Sequence, residues 1–407
     1  MVATPLGRRR SPSNPLTLNT PDPDTVITAA VLLILLTIVL SIVLAVPPRD
    51  RTLILGTTPL ARMLVAEIDI RSGGQTQLVG VVDDADGAIE PALRNLLLGP
   101  LAKLAEIVDK IRPDRIVIAL ADRRGRLPLR ELLQARLQGV AVDDGVHFYE
   151  RLTGKIAIEA LTPHDLISSP DFRKSHLDLA FGHALSLVVS LVALVVLSPL
   201  VALIALAIKI DSSGPVFFVQ DRVGLRGRTL RLLKFRTMRP AHRSTSEWVR
   251  DNGDRITRVG KWLRRFRLDE LPQLVNVLRG ELNLVGPRPH PISNFELFTQ
   301  NIPYYWVRSS VRPGLTGWAQ VRQGYANSLA EETEKMRFDL YYIKHMSAWL
   351  DLRILFHTVK TVLSGPDNPP AAAEIATSGG AADPYMASTA LVRSPALVRP
   401  ITRSAPQ

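Results

Sequence analysis

Hydrophobic positions along the chain gather into two long aliphatic runs, with shorter periodic runs between and after them. Residues 26–46 are almost purely aliphatic. About 21 residues rising roughly 1.5 Å each cover the roughly 30 Å hydrocarbon core of a bilayer, so this run predicts one spanning helix. A signal peptide would also carry basic residues such as Arg8, Arg9 and Arg10 ahead of it. The run is long, however, and Val46-Pro47-Pro48 lacks a small-residue cleavage pattern, which favours an uncleaved anchor. Residues 1–25 show no apolar period and are rich in Pro, Ser, Thr and Arg, the composition of a disordered basic tail.

Residues 51–168 alternate β-rich runs at 52–56, 78–82, 115–120 and 140–143 with helical patterns such as 101–111. That alternation predicts a small doubly wound, Rossmann-like α/β domain. Its first strand leads into Gly56-Thr57-Thr58-Pro59, which has one glycine where a dinucleotide turn uses three, so the reading here is a module without cofactor. Asp83 and Asp84 close the second strand, where a ribose-binding acid would lie.

The second aliphatic run, residues 177–208, is longer than a straight span needs and contains Ser198-Pro199. Proline removes one backbone donor and presses on the carbonyl four residues earlier, while a serine can bond the freed group. With Arg173, Lys174 and Lys209 at both ends, two readings stand: a helix-break-helix that enters and leaves one leaflet, and a kinked spanning helix. Residues 170–365 then form one unit, the membrane helix followed by a basic, mixed α/β domain, and 366–407 turn to Ala, Pro, Ser and Gly, the composition of a disordered tail.

Composition sharpens this picture in three places. A positive mean hydropathy alongside 22% charged residues means the apolar residues are bunched, which points to lipid. The net charge of +12 suits anionic headgroups or phosphorylated substrates; no nucleic-acid module accompanies it, so nucleic acid is set aside. With no cysteine, a bound metal must sit on oxygens or imidazoles.

The candidate chemistry lies in the last half. Residues 216–220 and 229–235 read as strands flanking a turn, and deliver Lys234-Phe235-Arg236, two cations at alternate positions that can meet a diphosphate or simply be solvated. Leu271, Leu274, Val275 and Leu278 fall at i, i+3, i+4 and i+7, which predicts a helix starting near Asp269, with Pro272 in its first turn and Gly280 as C-cap. A carboxylate at a helix start suits a nucleophile, a magnesium ligand or a plain N-cap. Glu270 beside Asp269 adds a second oxygen group to a segment whose upstream residues, Arg264 among them, are basic. Gly286-Pro287-Arg288-Pro289 and Arg312-Pro313-Gly314 each set an arginine in a stiff loop, able to grip phosphate or only to connect elements.

Taken together, Lys234-Phe235-Arg236-Thr237-Met238, Leu268-Asp269-Glu270-Leu271-Pro272-Gln273-Leu274, Val285-Gly286-Pro287-Arg288-Pro289 and Arg312-Pro313-Gly314-Leu315-Thr316-Gly317-Trp318-Ala319-Gln320 resemble the signature blocks of the bacterial sugar transferases, the monotopic phosphoglycosyl transferases. The front half is similar to the larger exopolysaccharide-type members that accompany exosortase systems, although those usually carry several N-terminal spans and this chain shows one run at 26–46. The resemblance implies transfer of a sugar 1-phosphate from a UDP-sugar to undecaprenyl phosphate. It makes Asp269 the nucleophile that becomes a covalent phospho-sugar aspartate, Glu270 a magnesium ligand or orienter together with Asp269, and Lys234, Arg264, Arg288 and Arg312 phosphate-binding residues. It also implies a bacterial inner membrane location with the catalytic domain facing the cytoplasm, the re-entrant form of the Ser198-Pro199 helix, downstream glycosyltransferases as partners, and self-association into a homo-oligomer as an open question. Two other classes stand beside it: a membrane-tethered NAD-dependent sugar-nucleotide modifying enzyme, and a noncatalytic basic scaffold.

Overall fold

The computed structural model describes residues 28, 31–37, 50–71, 76–84, 91–120, 126–239, 255–323, 326 and 328–364. Of the anchor expected over 26–46, only residues 28 and 31–37 are among these; they are helical and their apolar side chains are exposed. The expected tails, 1–25 and 366–407, lie outside the described residues.

Strands β1 (Asp50–Leu55), β2 (Thr76–Val82), β3 (Leu97–Gly99), β4 (Arg115–Ile118) and β5 (Ala141–Asp144) form one parallel sheet in the order β3-β2-β1-β4-β5. Leu53, Ile54, Leu55, Val81, Val82, Ile116 and Val117 are fully buried because helices cover both faces. Burial on both sides is why these strands read as continuous aliphatic runs and not as an alternation. On one face Leu60, Leu64 and Ile68 of helix Pro59–Ile70 meet Phe148 and Tyr149 of helix Gly145–Thr153. On the other, Leu104 and Val108 of helix Leu104–Ile111 meet Leu132 and Ala135 of helix Leu129–Leu137. Two expectations need adjusting: β3 was not anticipated, being too short to show a period, and the strand expected over 115–120 ends at Ile118.

The turn after β1 is closed from within. Gly56 has φ +110, and a Cβ there would lie 2.5 Å from the Ala119 carbonyl oxygen. The Thr57 amide and hydroxyl both donate to Asp83 Oδ2, at 2.8 and 2.6 Å, and Thr58 caps the following helix while donating to the Ala119 carbonyl. The acid at the end of the second strand, where a ribose ligand would lie, therefore holds the turn itself.

Helix His176–Asp211 is long and apolar enough to cross a bilayer over Leu179–Asp211, and Val188, Val192, Val195, Val196 and Leu203 are each more than half exposed. Helical conformation continues through Ser198-Pro199, so the expected break is not a gap in the helix. Ser198 Oγ donates to the Val195 carbonyl at 2.8 Å, the group four residues before Pro199 that proline leaves without its helical donor. Towards one end, His183 Nδ1 lies 3.0 Å from Asn283 Oδ1 and the Leu284 amide donates to Ser186 Oγ. Towards the other, Ile204 and Ile208 pack on Phe235 and Leu263, and the Val259 amide donates to Asp211 Oδ2.

The remaining fold is an antiparallel hairpin, β6 (Phe217–Val223) with β7 (Thr229–Phe235), and a parallel pair, β8 (Asn283–Val285) with β9 (Gly314–Thr316), wrapped by helices around a core that includes Tyr305, Met336, Phe338, Leu340 and Tyr342. Helix Leu329–His345 joins this half to the first. Lys344 Nζ pairs with Glu150 at 2.7 Å, Arg337 with Glu159 at 2.5 Å, Lys155 bridges Glu67 and Glu334, and Trp318 Nε1 donates to the Gly154 carbonyl at 2.9 Å.

Candidate active site

Helix Arg258–Arg265 ends where Arg267 adopts a left-handed conformation, φ 56 and ψ 20, which turns the chain into a 3-10 turn, Leu268–Glu270. Pro272 keeps helical angles and leads into helix Gln273–Leu278, and Gly280, φ +73, donates its amide to the Val277 carbonyl. The helix expected from Asp269 is thus a 3-10 turn that runs into an α-helix, with the proline and the glycine at the positions their backbones favour.

Asn276, fully buried, bolts this helix to β7: its Oδ1 accepts from the Leu233 amide at 3.0 Å and its Nδ2 donates to the Arg231 carbonyl at 2.8 Å. The bolt brings Lys234 over Glu270. Lys234 Nζ lies 3.1 Å from Glu270 Oε1, and Arg288 Nη2 lies 2.7 Å from the same oxygen. Burial pushes the Glu270 carboxyl up, but the charges of Arg288 and then Lys234 outweigh it and hold the group well below the usual carboxylate range. Burial lowers the Lys234 ammonium, against the attraction of Glu270 and with the repulsion of Arg288.

Asp269 differs from its neighbour. Among the described residues it accepts no hydrogen bond and pairs with no cation. Burial, and next the charge of Glu270, raise its pKa, while Lys234, Arg264 and Arg288 pull it back. The result is a half-buried carboxylate with free oxygens, set in a cationic field without being neutralised by any one partner.

The structure thus brings together Lys234, Asp269, Glu270 and Arg288, with Arg264 nearby on the Thr237 hydroxyl at 2.9 Å. It does not bring in Arg312, whose Nε donates to the Gly280 carbonyl at 3.2 Å. Nor does Arg236 share a ligand with Lys234: β7 ends at Phe235, and the Arg236 guanidinium is buried on the backbone and hydroxyl of Ser212, at 2.7 and 2.9 Å.

Sequence reasoning passed over the residues that hold the Arg288 loop. Arg308 Nη2 donates to the Arg288 carbonyl at 3.2 Å, and the same guanidinium pairs with Asp339 at 2.8 Å and Glu332 at 3.3 Å. Tyr305 donates to Glu332 at 2.7 Å, and His290 Nε2 lies 3.3 Å from it. Burial first, and Arg308 next, hold His290 far below its ordinary pKa, so this imidazole is neutral. Glu332 and Asp339, seven apart on one helix, were the available signal.

Gly286 fixes the start of that loop. A Cβ there would lie 2.6 Å from the Arg312 carbonyl oxygen and 2.8 Å from the Gly314 amide, both backbone atoms that cannot swing away. Gly286→Ala is therefore expected to separate β8 from β9 and to cost about 1–3 kcal/mol in chemical denaturation, the range seen for overpacked interiors.

Among the described residues no group of three or more His, Asp or Glu could hold a metal ion. Magnesium, however, commonly uses one or two carboxylates together with substrate phosphates. Asp269 and the second oxygen of Glu270 fit that need as hard oxygen donors.

Residues 178–365 match the family model described as bacterial sugar transferase. The chain is 36% identical over 323 residues to an undecaprenyl-phosphate glucose phosphotransferase of Komagataeibacter xylinus, covering 75% of this chain and 58% of that protein. It is 40% identical over 217 residues to a UDP-N-acetylgalactosamine-undecaprenyl-phosphate N-acetylgalactosaminephosphotransferase of Aeromonas hydrophila, covering 53% and 51%. The chain thus spans little more than half the length of these two curated relatives. An exopolysaccharide production protein of Rhizobium leguminosarum is matched over 98% of its own length, at 41% identity and across 46% of this chain. The chain belongs to the bacterial sugar transferase family.

Proposed function

We propose that the protein transfers a sugar 1-phosphate from a UDP-sugar to undecaprenyl phosphate, releasing UMP, and that Asp269 carries the sugar phosphate between the two. The observation that carries this reading is the contrast between adjacent carboxylates: Glu270 is bound by two cations, and Asp269 beside it is unbound and destabilised as an anion. A carboxylate in that state is a good nucleophile towards phosphorus. An Asp269 oxygen attacks the phosphorus bearing the sugar, the bond from that phosphorus to the UMP oxygen breaks, and UMP leaves. An oxygen of undecaprenyl phosphate then attacks the same phosphorus, and the Asp269 carboxylate departs. Lys234 and Arg288, held in place by Glu270, stabilise the spreading negative charge, and Arg264 adds to the field. Magnesium, when bound at Asp269 and Glu270, would neutralise the leaving phosphate.

A two-step displacement suits a soluble donor and a lipid acceptor, provided the site lies at the headgroup plane. The re-entrant reading of helix His176–Asp211 meets that need. It is supported by the contacts of His183 and Ser186 towards one end and of Ile204, Ile208 and Asp211 towards the other with the same domain. A straight crossing would part His183 from Ile208 by about 37 Å and leave only one end on the catalytic side. In this reading the domain of residues 170–365 sits on the cytoplasmic face of the bacterial inner membrane. Residues 51–168 are a supporting module, and the lipid product passes to downstream glycosyltransferases that build exopolysaccharide or a related glycan.

The test is intact-mass measurement of purified protein mixed with individual UDP-sugars and magnesium. A gain of one sugar phosphate, discharged by added undecaprenyl phosphate, is expected; reaction only in a ternary complex, with no such gain under single-turnover conditions, sinks the reading. The pH dependence gives a second check. Adduct formation needs ionised Asp269, whose pKa is raised, so its rate should fall on acidification with a limb above the ordinary aspartate value of about 3.9. Glu270→Gln removes the like charge, and the limb in that variant should move to lower pH.

A further inference from the structure

Helix Ala348–Ser364 turns one side to the core, through Leu350 and Ile354, and leaves two stripes uncovered on the other. Trp349, Leu352, Phe356 and Val359 recur at helical spacing, and each is more than half exposed. Beside them Arg353, His357 and Lys360 recur at i, i+4 and i+7, with Arg353 and Lys360 exposed. Apolar side chains bordered by cations are the make-up of a helix that lies in a lipid interface. This helix also packs against the apolar helix His176–Asp211: a Cβ on Gly182, three residues into the bilayer-length stretch Leu179–Asp211, would lie 3.7 Å from Asp351 Oδ2. Arg353, two residues beyond Asp351, therefore stands near the level at which that stretch enters lipid.

The cations converge on one ring. Trp318, in helix Trp318–Arg322, is buried, and the guanidinium carbons of Arg322 and Arg353 lie 5.0 and 5.6 Å from its ring centroid. Trp318 Nε1 donates to the Gly154 carbonyl, so this cluster stands on the seam between the two halves of the molecule. Arg71 of the α/β half adds to it, and its salt-bridge partner, Glu67, is shared with Lys155. Among the described residues neither Arg322 nor Arg353 has a hydrogen-bond or ion-pair partner. Burial first, and the like charges of Arg71 and Arg353 next, lower the Arg322 pKa, and Glu67 offsets them only in part. Such a surplus attracts an anion, and it borders an exposed apolar stripe at the bilayer surface. A phospholipid of net negative charge answers both features; inorganic phosphate answers only the first.

We propose that Arg322, Arg353 and Lys360 hold the headgroup phosphate of an anionic phospholipid, whose acyl chains lie along Leu352 and Phe356, and that this lipid fastens the seam at Trp318. The bound phosphate supplies the negative charge that the cluster lacks, so the two halves close with less repulsion. This lipid is neither donor nor acceptor in the proposed reaction, and the inference does not depend on that reaction.

Titration calorimetry of the full chain in neutral detergent, with dioctanoyl phosphatidylglycerol, dioctanoyl phosphatidylcholine and inorganic phosphate, reads the site without turnover. Phosphatidylglycerol is expected to bind about tenfold or more tighter than phosphatidylcholine, the worth of one charge-assisted contact, and inorganic phosphate at equal concentration should not displace it. Arg322→Met combined with Arg353→Met should bring the two lipids within about twofold, and Arg322→Lys with Arg353→Lys should keep most of the preference. Leu352→Ser with Phe356→Ser should weaken both lipids alike; unchanged affinity there overturns the acyl contact. Equal binding of the two lipids by the wild type, or an undiminished preference in the methionine variant, overturns the proposal. Displacement by inorganic phosphate makes the site one for a free anion and overturns the lipid assignment. Phosphatidylglycerol should also raise the melting temperature of the wild type and leave that of the methionine variant unchanged. In phosphatidylcholine the methionine variant should melt close to the wild type, because methionine keeps the packing on Trp318 and relieves the repulsion. A much lower melt there marks a structural role for the arginines and overturns the assignment too.

Discussion

Asp269→Asn is expected to form no sugar-phosphate adduct and to lose transfer from UDP-sugar to undecaprenyl phosphate by about 10³-fold or more, the scale seen when a covalent nucleophile is removed. The amide keeps the shape of the side chain but offers no anionic oxygen, and the cations around Glu270 stay where they are because none is bound to Asp269. UMP binding should therefore survive the substitution. Parallel measurement of UMP affinity and single-turnover adduct formation checks both halves. A variant that still transfers at the wild-type rate would move the nucleophile elsewhere.

Arg308→Met is expected to have the largest effect on stability. Its guanidinium is 5% exposed and faces Glu332 and Asp339, at 3% and 2%. Removing one member of such a set leaves buried charge without compensation, at a cost of about 3–5 kcal/mol. The effect should also depend on pH. Burial raises Asp339 to about 6 even with Arg308 present. A carboxyl with a raised folded pKa favours the fold most below the unfolded value of about 3.9, and that contribution is lost as pH climbs through the folded value. Without Arg308 the folded pKa rises further, so the deficit of Arg308→Met should be small near pH 4 and should keep growing above pH 6. Denaturant melts of both proteins between pH 4 and 8 measure this, and a deficit independent of pH would sink the account. Where the variant folds, the Arg288 loop has lost its anchor and transfer should fall with it.

The parts legible in the sequence were those set by local pattern. Aliphatic runs placed β1, β2 and β4 because strands buried on both faces need no alternation, and the 3-4 spacing after Asp269 placed the helix that follows the acid pair. Stiff or permissive residues such as Pro272 and Gly280 marked their own positions. What the pattern did not contain was pairing across distance. Nothing near Arg312 says that its guanidinium will lie on the Gly280 carbonyl, and nothing near Arg236 says that its own will turn to Ser212, since both partners come from elsewhere in the chain. The same holds for the Arg308 cluster, whose members span Arg288 to Asp339 and meet only once the core around Tyr305 has formed.

Helix Leu329–His345 has one face on each half of the molecule. Glu332 and Asp339 grip the arginine beneath the Arg288 loop, and Arg337 and Lys344 are tied to Glu159 and Glu150 in the α/β half. A rigid rod clamped at both sides cannot tilt on one without straining the other. The α/β module therefore acts as a counterweight: a push on its outer surface is geared through the seventeen residues of this helix to the alignment of the Arg288 loop.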